Sequence, residues 1–419
     1  MLDSGHIAFT TRLTRTIGPT ANDAWDLLRV RDLEVDARGQ IWVLEDTDQS
    51  IRLFSADGKY IRKLGGKGSG PGEFEHFYWI HLLGDTVWVA DTRNLRLTSY
   101  SVATGQALRN TRPGGMSGMI QGVSPTGVFN LIIDANATPK PGKPTSGLFV
   151  HESNMTKQRR SLATYAQKRT ALSVSTYYPD ETPIPPKGSL AGRLFAPQPF
   201  DDVLLYKIGA GGRSIVFLER DVPGVASANP LTWSKARTPL RIVEIGLNGD
   251  TILDRRYGTP SIPITAAQVT AVVDSISRSP GFISGRNMRA SIPDIRDSLY
   301  VPKVWPPATE LFVGADDTIW LRQPQPPGKS SHFWRIGRDG KILPSVMVPG
   351  GFRIVRVSVN RIWGVNADGE QGATVQVHDV VPLKSGRSNS LQRRRAPSPT
   401  HETAIKISDP LKALRDQDL

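Results

Sequence analysis

An all-β fold made of repeated four-stranded units is predicted by two features of the sequence. First, short apolar runs alternate with turn residues, and four such runs, each about the length of a strand, lie between Leu33 and Phe74. Second, the pattern recurs, because Ile80 begins the same series 47 residues after Leu33. A period of this length is typical of the blades of a β-propeller and not of helical repeats.

The strands of the first unit are separated by turn segments rich in Asp and Gly. These segments are Asp36–Gly39, Glu45–Gln49 and Ala56–Gly58. Glycine permits a positive φ, and aspartate accepts hydrogen bonds from its own turn, so each segment favours a tight reversal of the chain. The unit is therefore predicted to be an up-and-down meander of four strands.

Residues 30–100 resemble an NHL repeat. The resemblance rests on three motifs: DARGQIWVLED at Asp36–Asp46, IRLFSADG at Ile51–Gly58, and the glycine-rich link GGKGSGPGEF at Gly65–Phe74. It implies a six-bladed β-propeller of the bacterial NHL-like kind, with four-stranded antiparallel blades. Propellers of this kind include protein-binding, RNA-binding and enzymatic members, so the resemblance implies a scaffold and no single function.

The same alternation of strands and turns predicts six blades within one domain over residues 1–383. The blades lie near residues 30–75, 78–112, 117–165, 200–258, 308–349 and 352–380. The last blade is one strand short. Residues 7–17, an apolar and polar alternation ahead of blade one, are predicted to supply that strand and close the ring, since an open ring would leave two sheet edges unpaired.

Two segments interrupt the period. Residues 165–200 are proline-rich and are predicted to be an irregular insertion. Residues 260–307 are predicted to be a second insertion with one helix, because Thr265 and Gln268 have the spacing of a capping box ahead of apolar residues at helical intervals. Residues 384–419 carry eight basic and four acidic residues and no aromatic residue, and are predicted to be a disordered basic tail.

The composition narrows the functional classes. The chain of 419 residues has no cysteine, which excludes disulfides, thiolate metal sites and cysteine nucleophiles. The formal net charge is +13, but no aromatic platform is interleaved with a basic run, so nucleic acid is not the expected partner.

No apolar run is long enough to span a membrane, and a soluble monomer is predicted. Met1–Gly18 has no signal-peptide core; a leader from an upstream start would place the protein in the periplasm or outside the cell.

Two functions are predicted from different classes. The first is a binding or scaffolding propeller that recognises a protein, peptide or carbohydrate on one face, without catalytic residues or a cofactor. The alternative is a calcium-dependent hydrolase or lyase at the central channel, as in the six-bladed calcium-dependent lactonases. Its candidate metal ligands are the polar residues near strand ends: Glu45, Asp46, Asp91, Asn130 and Asn366. A competing interpretation is that the aspartates among them cap turns.

Three further residues are predicted to face the central channel. The innermost strand of a blade projects alternate side chains toward the axis of the ring. Counting along the first strands of blades one, two and three selects Arg31, His81 and Gln121.

Overall fold

The computed structural model describes residues 2, 7–18, 26–112, 119–133, 146–152, 158–165, 172–177, 192–196, 198–202, 204–220, 237–278, 281–283, 286–324, 330–369 and 372–383. The chain divides into two compact units. The large unit comprises Met1–Ala171, Gln198–Ile264 and Tyr300–Val381, and the small unit comprises Leu172–Pro197, Thr265–Leu299 and Pro382–Leu419. The predicted tail at residues 384–419 lies outside the described residues.

The large unit begins with one strand and three antiparallel blades of four strands each. The first strand is β1 (Ile7–Ile17). Blade one contains β2 (Val30–Val35), β3 (Ile41–Glu45), β4 (Ser50–Phe54) and β5 (Tyr60–Gly65). Blade two contains β6 (Phe77–Leu83), β7 (Thr86–Asp91), β8 (Arg96–Ser101) and β9 (Ala107–Thr111). Blade three contains β10 (Met119–Ser124), β11 (Gly127–Ile133), β12 (Ser146–Glu152) and β13 (Gln158–Tyr165).

Three more blades complete the large unit. After β14 (Leu172–Tyr177) and β15 (Gly192–Ala196) of the small unit, blade four contains β16 (Leu205–Ile208), β17 (Ser214–Glu219), β18 (Arg237–Gly246) and β19 (Thr251–Pro260). After β20 (Gly281–Ile283) and β21 (Arg286–Ala290) of the small unit, blade five contains β22 (Glu310–Val313), β23 (Ile319–Arg322), β24 (Ser330–Ile336) and β25 (Ile342–Pro349). Blade six contains β26 (Arg353–Ser358), β27 (Arg361–Gly369) and β28 (Gly372–Pro382).

The N-terminal strand closes the last blade, which confirms the sequence prediction. β1 lies beside β28, and the Thr14 hydroxyl donates a hydrogen bond to the Val377 carbonyl at 3.1 Å. The first residues of β1 also pair in parallel with β25 of blade five, where Phe9 lies opposite Val346. Blades five and six therefore share one eight-stranded sheet, and β1 ties both of them together at the seam of the ring.

Apolar side chains fill the interfaces between neighbouring blades. Because the side chains of a strand alternate between its two faces, each second strand serves two interfaces. In blade one, Ile41 and Val43 pack against blade six, whereas Trp42 and Leu44 pack against blade two. Trp320 occupies the equivalent place between blades five and six. This alternation fixes the register of every blade and therefore decides which residues of the innermost strands lie at the same height.

The two segments predicted as insertions both contribute to the small unit. β15, β14, β21 and β20 form one four-stranded sheet in that order, so the segment predicted to be irregular contains two strands. The helices of this unit are α1 (Ala266–Arg278) and α2 (Ile292–Ser298). Their apolar faces pack with β14 in a separate core that includes Val174, Val273 and Ile295.

Helix α1 is the helix that the capping-box spacing predicts. The Gln268 backbone N–H donates to the Thr265 hydroxyl at 3.3 Å, and the Thr265 backbone N–H donates to the Gln268 side-chain carbonyl at 2.9 Å. The shorter α2 follows Ser291, whose side chain caps its N-terminus. Within the described ranges, no helix is both long and apolar enough to cross a membrane.

Candidate functional site

The innermost strand of each blade contributes one residue to a layer around the axis of the propeller. The second strand of every blade has a pair of apolar residues near its start, such as Ile41 and Trp42 in blade one. The residue of the innermost strand that pairs with the second of these two belongs to the layer, as Glu34 does opposite Trp42. The six residues that share this register, here called the axial layer, are Glu34, His81, Gly122, Lys207, Phe312 and Arg356. Four of them are ionisable, so the layer is polar although the blade interfaces around it are apolar.

Arg356 of blade six forms an ion-pair network with blade one. Its Nη1 atom lies 3.2 Å from Asp32 Oδ1, and its Nε atom lies 3.2 Å from Glu34 Oε2. Its Nη2 atom donates to the Ile80 carbonyl of blade two at 3.1 Å. None of the three charged side chains is more than 26% exposed, so solvent screens their attraction only weakly. The network joins three blades at the axis.

Burial and charge act in opposite directions within this network. Burial raises the pKa of Glu34, and the attraction of Arg356 opposes that shift. Burial also disfavours the charge of Arg356, but Asp32 and Glu34 outweigh this effect and raise the pKa of Arg356 above its ordinary value. Arg356 therefore stays charged, and its own charge is balanced by neighbours within the protein.

His81 of blade two is held in the axial layer as a neutral imidazole. Its ring stacks on Trp79 with 4.5 Å between the centroids. On blade three, a Cβ atom added to Gly122 would lie 2.4 Å from His81 Cε1, so only glycine leaves room for the ring. Burial and the positive charges of Arg356 and Lys207 lower the pKa of His81 to about 3. The uncharged ring can donate one hydrogen bond and accept one.

Lys207 of blade four is the second cation of the axial layer. Its side chain is exposed to solvent. Nevertheless, the surrounding protein and the charge of Arg356 lower its pKa, while Asp32 and Glu310 oppose the shift. The charges that act on Lys207 therefore belong to three other blades, namely blades one, five and six. In the described part of the chain, Lys207 has no hydrogen bond or ion pair.

Of the three residues predicted to face the channel, His81 lies in the axial layer. Arg31 and Gln121 lie instead at irregularities of the strand pairing, where the register shifts between Val30 and Asp32 and between Ile120 and Gly122. Each shift adds one residue to the innermost strand and so reverses the alternation of side chains beyond it. Counting by twos from the sequence therefore misses Glu34 and Gly122, which occupy the positions equivalent to His81.

The candidate ligand Glu45 joins two segments of its own blade. Its carboxylate accepts backbone hydrogen bonds from Leu28 and Arg29 ahead of β2, at 3.2 and 2.8 Å. It also accepts backbone hydrogen bonds from Thr47 and Asp48 in the turn after β3, at 2.9 and 3.1 Å. The side chain is 1% exposed, and its acceptor sites are occupied by the backbone.

Asp91 has the same arrangement at the equivalent position of blade two. Its carboxylate accepts backbone hydrogen bonds from Glu75 and His76 ahead of β6, at 2.9 and 3.2 Å. It accepts two more from Arg93 and Asn94 in the turn after β7, at 3.1 and 3.0 Å. Glu45 and Asp91 thus hold the entry to a blade against the turn that follows its second strand.

The remaining candidate ligands lie in three different blades. Asp46 of blade one pairs with Arg29 and accepts a hydrogen bond from the Gln49 amide at 3.0 Å. Asn366 lies on β27 opposite Thr374. Asn130 lies on β11, and its side chain is outside the described part of the chain. Across the described residues, no group of three or more His, Asp or Glu side chains is placed to hold a metal ion.

Comparison with known families agrees with this architecture. A family model described as a six-bladed β-propeller matches residues 22–113. The chain is a six-bladed β-propeller. The match covers blades one and two, and the sheets of the large unit extend the count to six. The NHL-like character of the repeats stays a prediction. No curated protein matches the chain.

Solved structures of propeller-like proteins match most of the chain at low identity. A protein from Bacteroides fragilis described as exported is 9% identical, with a TM-score of 0.45 over 89% of this chain and 96% of that one. Virginiamycin B lyase from Staphylococcus aureus is 11% identical, with a TM-score of 0.37 over 89% of this chain and 100% of that one. Regucalcin, a calcium-binding protein from Agrobacterium tumefaciens, is 12% identical, with a TM-score of 0.33 over 88% of this chain and 97% of that one. These similarities identify neither a ligand nor a reaction.

Proposed function

We propose that the protein is a binding propeller that takes part of a protein, peptide or carbohydrate at the axial layer. The observation that carries this proposal is the presence of two groups without hydrogen-bonding partners in the described chain, the Lys207 ammonium and the His81 imidazole. They come from different blades and occupy equivalent positions in the axial layer. Polar groups that are fixed in place and lack partners are the features that orient a ligand in a concave site.

Four described carboxylates at the axis and at the strand ends, Asp32, Glu34, Glu45 and Asp91, already have partners within the protein. Calcium takes six to eight oxygen ligands, most of them from carboxylates, carbonyl groups and water. At the axis, Asp32 and Glu34 neutralise Arg356, and the guanidinium group would repel a metal ion beside them. At the strand ends, Glu45 and Asp91 accept backbone hydrogen bonds. This distribution favours ligand binding over calcium-dependent hydrolysis.

The proposal is tested by binding of the labelled protein to peptide and glycan arrays. Replacing Lys207 with Trp fills the axial space, whereas Lys341→Trp places the same bulk on an outer turn of blade five, where Lys341 is 83% exposed. We expect Lys207→Trp to abolish binding and Lys341→Trp to leave it unchanged, with equal binding in calcium and in a chelator. Array ligands that bind Lys207→Trp as well as the wild type would contradict an axial site, and binding lost in the chelator would favour the calcium-dependent alternative.

A further inference from the structure

The charged neighbours of Lys207 already have partners within the protein. Arg356 pairs with Asp32 and Glu34 at the axis. Glu310, which also attracts Lys207, pairs with Arg322 at 2.5 Å. The Lys207 ammonium is left as the cation of this cluster that no described acidic group neutralises by direct contact.

The surroundings of Lys207 disfavour its charge although the side chain is exposed. The surrounding protein removes part of its hydration, and Arg356 repels it, which together lower the pKa of Lys207. A bound anion would remove both penalties, since it would attract Lys207 directly and offset the repulsion from Arg356.

His81 provides a second, rigid contact for such an anion. Its ring is held between Trp79 and Gly122, which fixes its orientation before a ligand arrives. The side chains of His81 and of Ile208, the residue that follows Lys207, both lie against Gly122, and the charge of Lys207 acts on the imidazole. Because the imidazole is neutral, it can donate one hydrogen bond to an anionic oxygen without adding a charge. An oxygen bound to Lys207 would therefore have a preorganised donor beside it.

We propose that Lys207 binds a single carboxylate or phosphate group of a ligand that enters along the axis of the propeller. This inference rests on the proposed function, because it assigns the chemistry of the ligand to the same axial layer. Both anions present the oxygen acceptors that an ammonium group binds. Lys207 acts as the charge-specific anchor, and His81 as the positioning hydrogen-bond donor.

The inference is tested by isothermal titration calorimetry of the full-length protein at low ionic strength. The probes are benzoate, inorganic phosphate and the neutral isostere benzamide. We expect saturable binding of one of the two anions and none of benzamide, and the anion bound identifies the ligand group as carboxylate or phosphate. Lys207→Met should weaken anion binding at least tenfold, Lys207→Arg should restore most of it, and the outer-turn variant Lys341→Met should leave it unchanged. Thermal unfolding of each variant verifies that it is folded.

Two results would overturn the inference. One is equal anion binding by the wild type and Lys207→Met, and the other is no saturable binding of either anion by the wild type down to millimolar affinity. If array ligands bind Lys207→Met but not Lys207→Trp, the result supports a binding site at the axis and contradicts recognition of an anionic group by Lys207.

Discussion

The carboxylates at the strand ends and those at the axis are the same residue types in two different environments. Glu45 and Asp91 accept hydrogen bonds from backbone groups of their own blade. Asp32 and Glu34 instead meet Arg356, which comes from a blade more than three hundred residues away along the chain. The first set holds single blades in shape, and the second set connects blades and shares its surroundings with Lys207 and His81.

Structural carboxylates are distinguished from those of a candidate site by their hydrogen-bonding and ion-pair partners, and not by residue type. A carboxylate whose oxygen atoms already accept hydrogen bonds from backbone N–H groups has few acceptor positions left for a ligand. A network of side chains from several blades can present one group, such as Lys207, whose charge no direct contact balances. Four measurements would show whether the two sets of carboxylates are separate.

The largest effect is expected for Arg356→Met, which leaves the partly buried Asp32 and Glu34 as like charges without a counterion. We expect the free energy of unfolding to fall by about 3 kcal/mol, because the two carboxylates stay shielded from water and lose the charge that compensates for it. Urea unfolding measures the loss. The matched control is Arg338→Met, because the Arg338 side chain is 67% exposed and its pair with Asp317 should contribute little. If the two variants lose the same free energy of unfolding, the result would contradict the shielding of the axial network from solvent.

The strand-end set is tested by Asp91→Ala in blade two. This change removes the acceptor of four backbone N–H groups. Asp91 is 2% exposed, so water has little access to replace the lost hydrogen bonds. We expect a loss of about 3 kcal/mol in the free energy of unfolding, with unchanged anion binding at the axis. The exposed Asp57→Ala in blade one serves as the control and should not change stability measurably. Anion binding that falls with Asp91→Ala in a folded protein would contradict the separation of the two sets.

The pH dependence of stability tests the neutral state of His81. In the folded protein its pKa is lowered to about 3, whereas the unfolded chain takes up the proton near pH 6.5. The stabilisation by neutral His81 is therefore fully present above pH 6.5 and is lost as the pH falls from 6.5 toward 3. Between pH 7 and pH 5 this contribution should cost about 2 kcal/mol. His81→Asn should remove that part of the pH dependence, and identical slopes for variant and wild type would contradict the assignment.

The sequence predicts the features that are encoded locally. The capping box at Thr265 and Gln268 spans four residues, and the closing strand is evident because the last blade lacks one. The axial network is not local, since Arg356 meets Asp32 only after the ring has closed. Register shifts in the innermost strands also defeat counting by twos. The sequence nevertheless contains a usable signal. The residue that pairs with the second member of the apolar pair near the start of each second strand, such as Ile41 and Trp42 in blade one, is Glu34 or its equivalent.

Measurement of the pKa of Lys207 tests most directly whether a lysine without a described ion pair lies among the axial charges. Competitive labelling of the folded protein with acetic anhydride across a range of pH, read by mass spectrometry, measures it beside the other lysines. Lys341 is the internal reference, because its ion pair with Asp339 raises its pKa. The account predicts that Lys207 loses its proton at a lower pH than Lys341 and that a bound anion moves this transition upward. A Lys207 that titrates together with Lys341, or above it, would contradict the account.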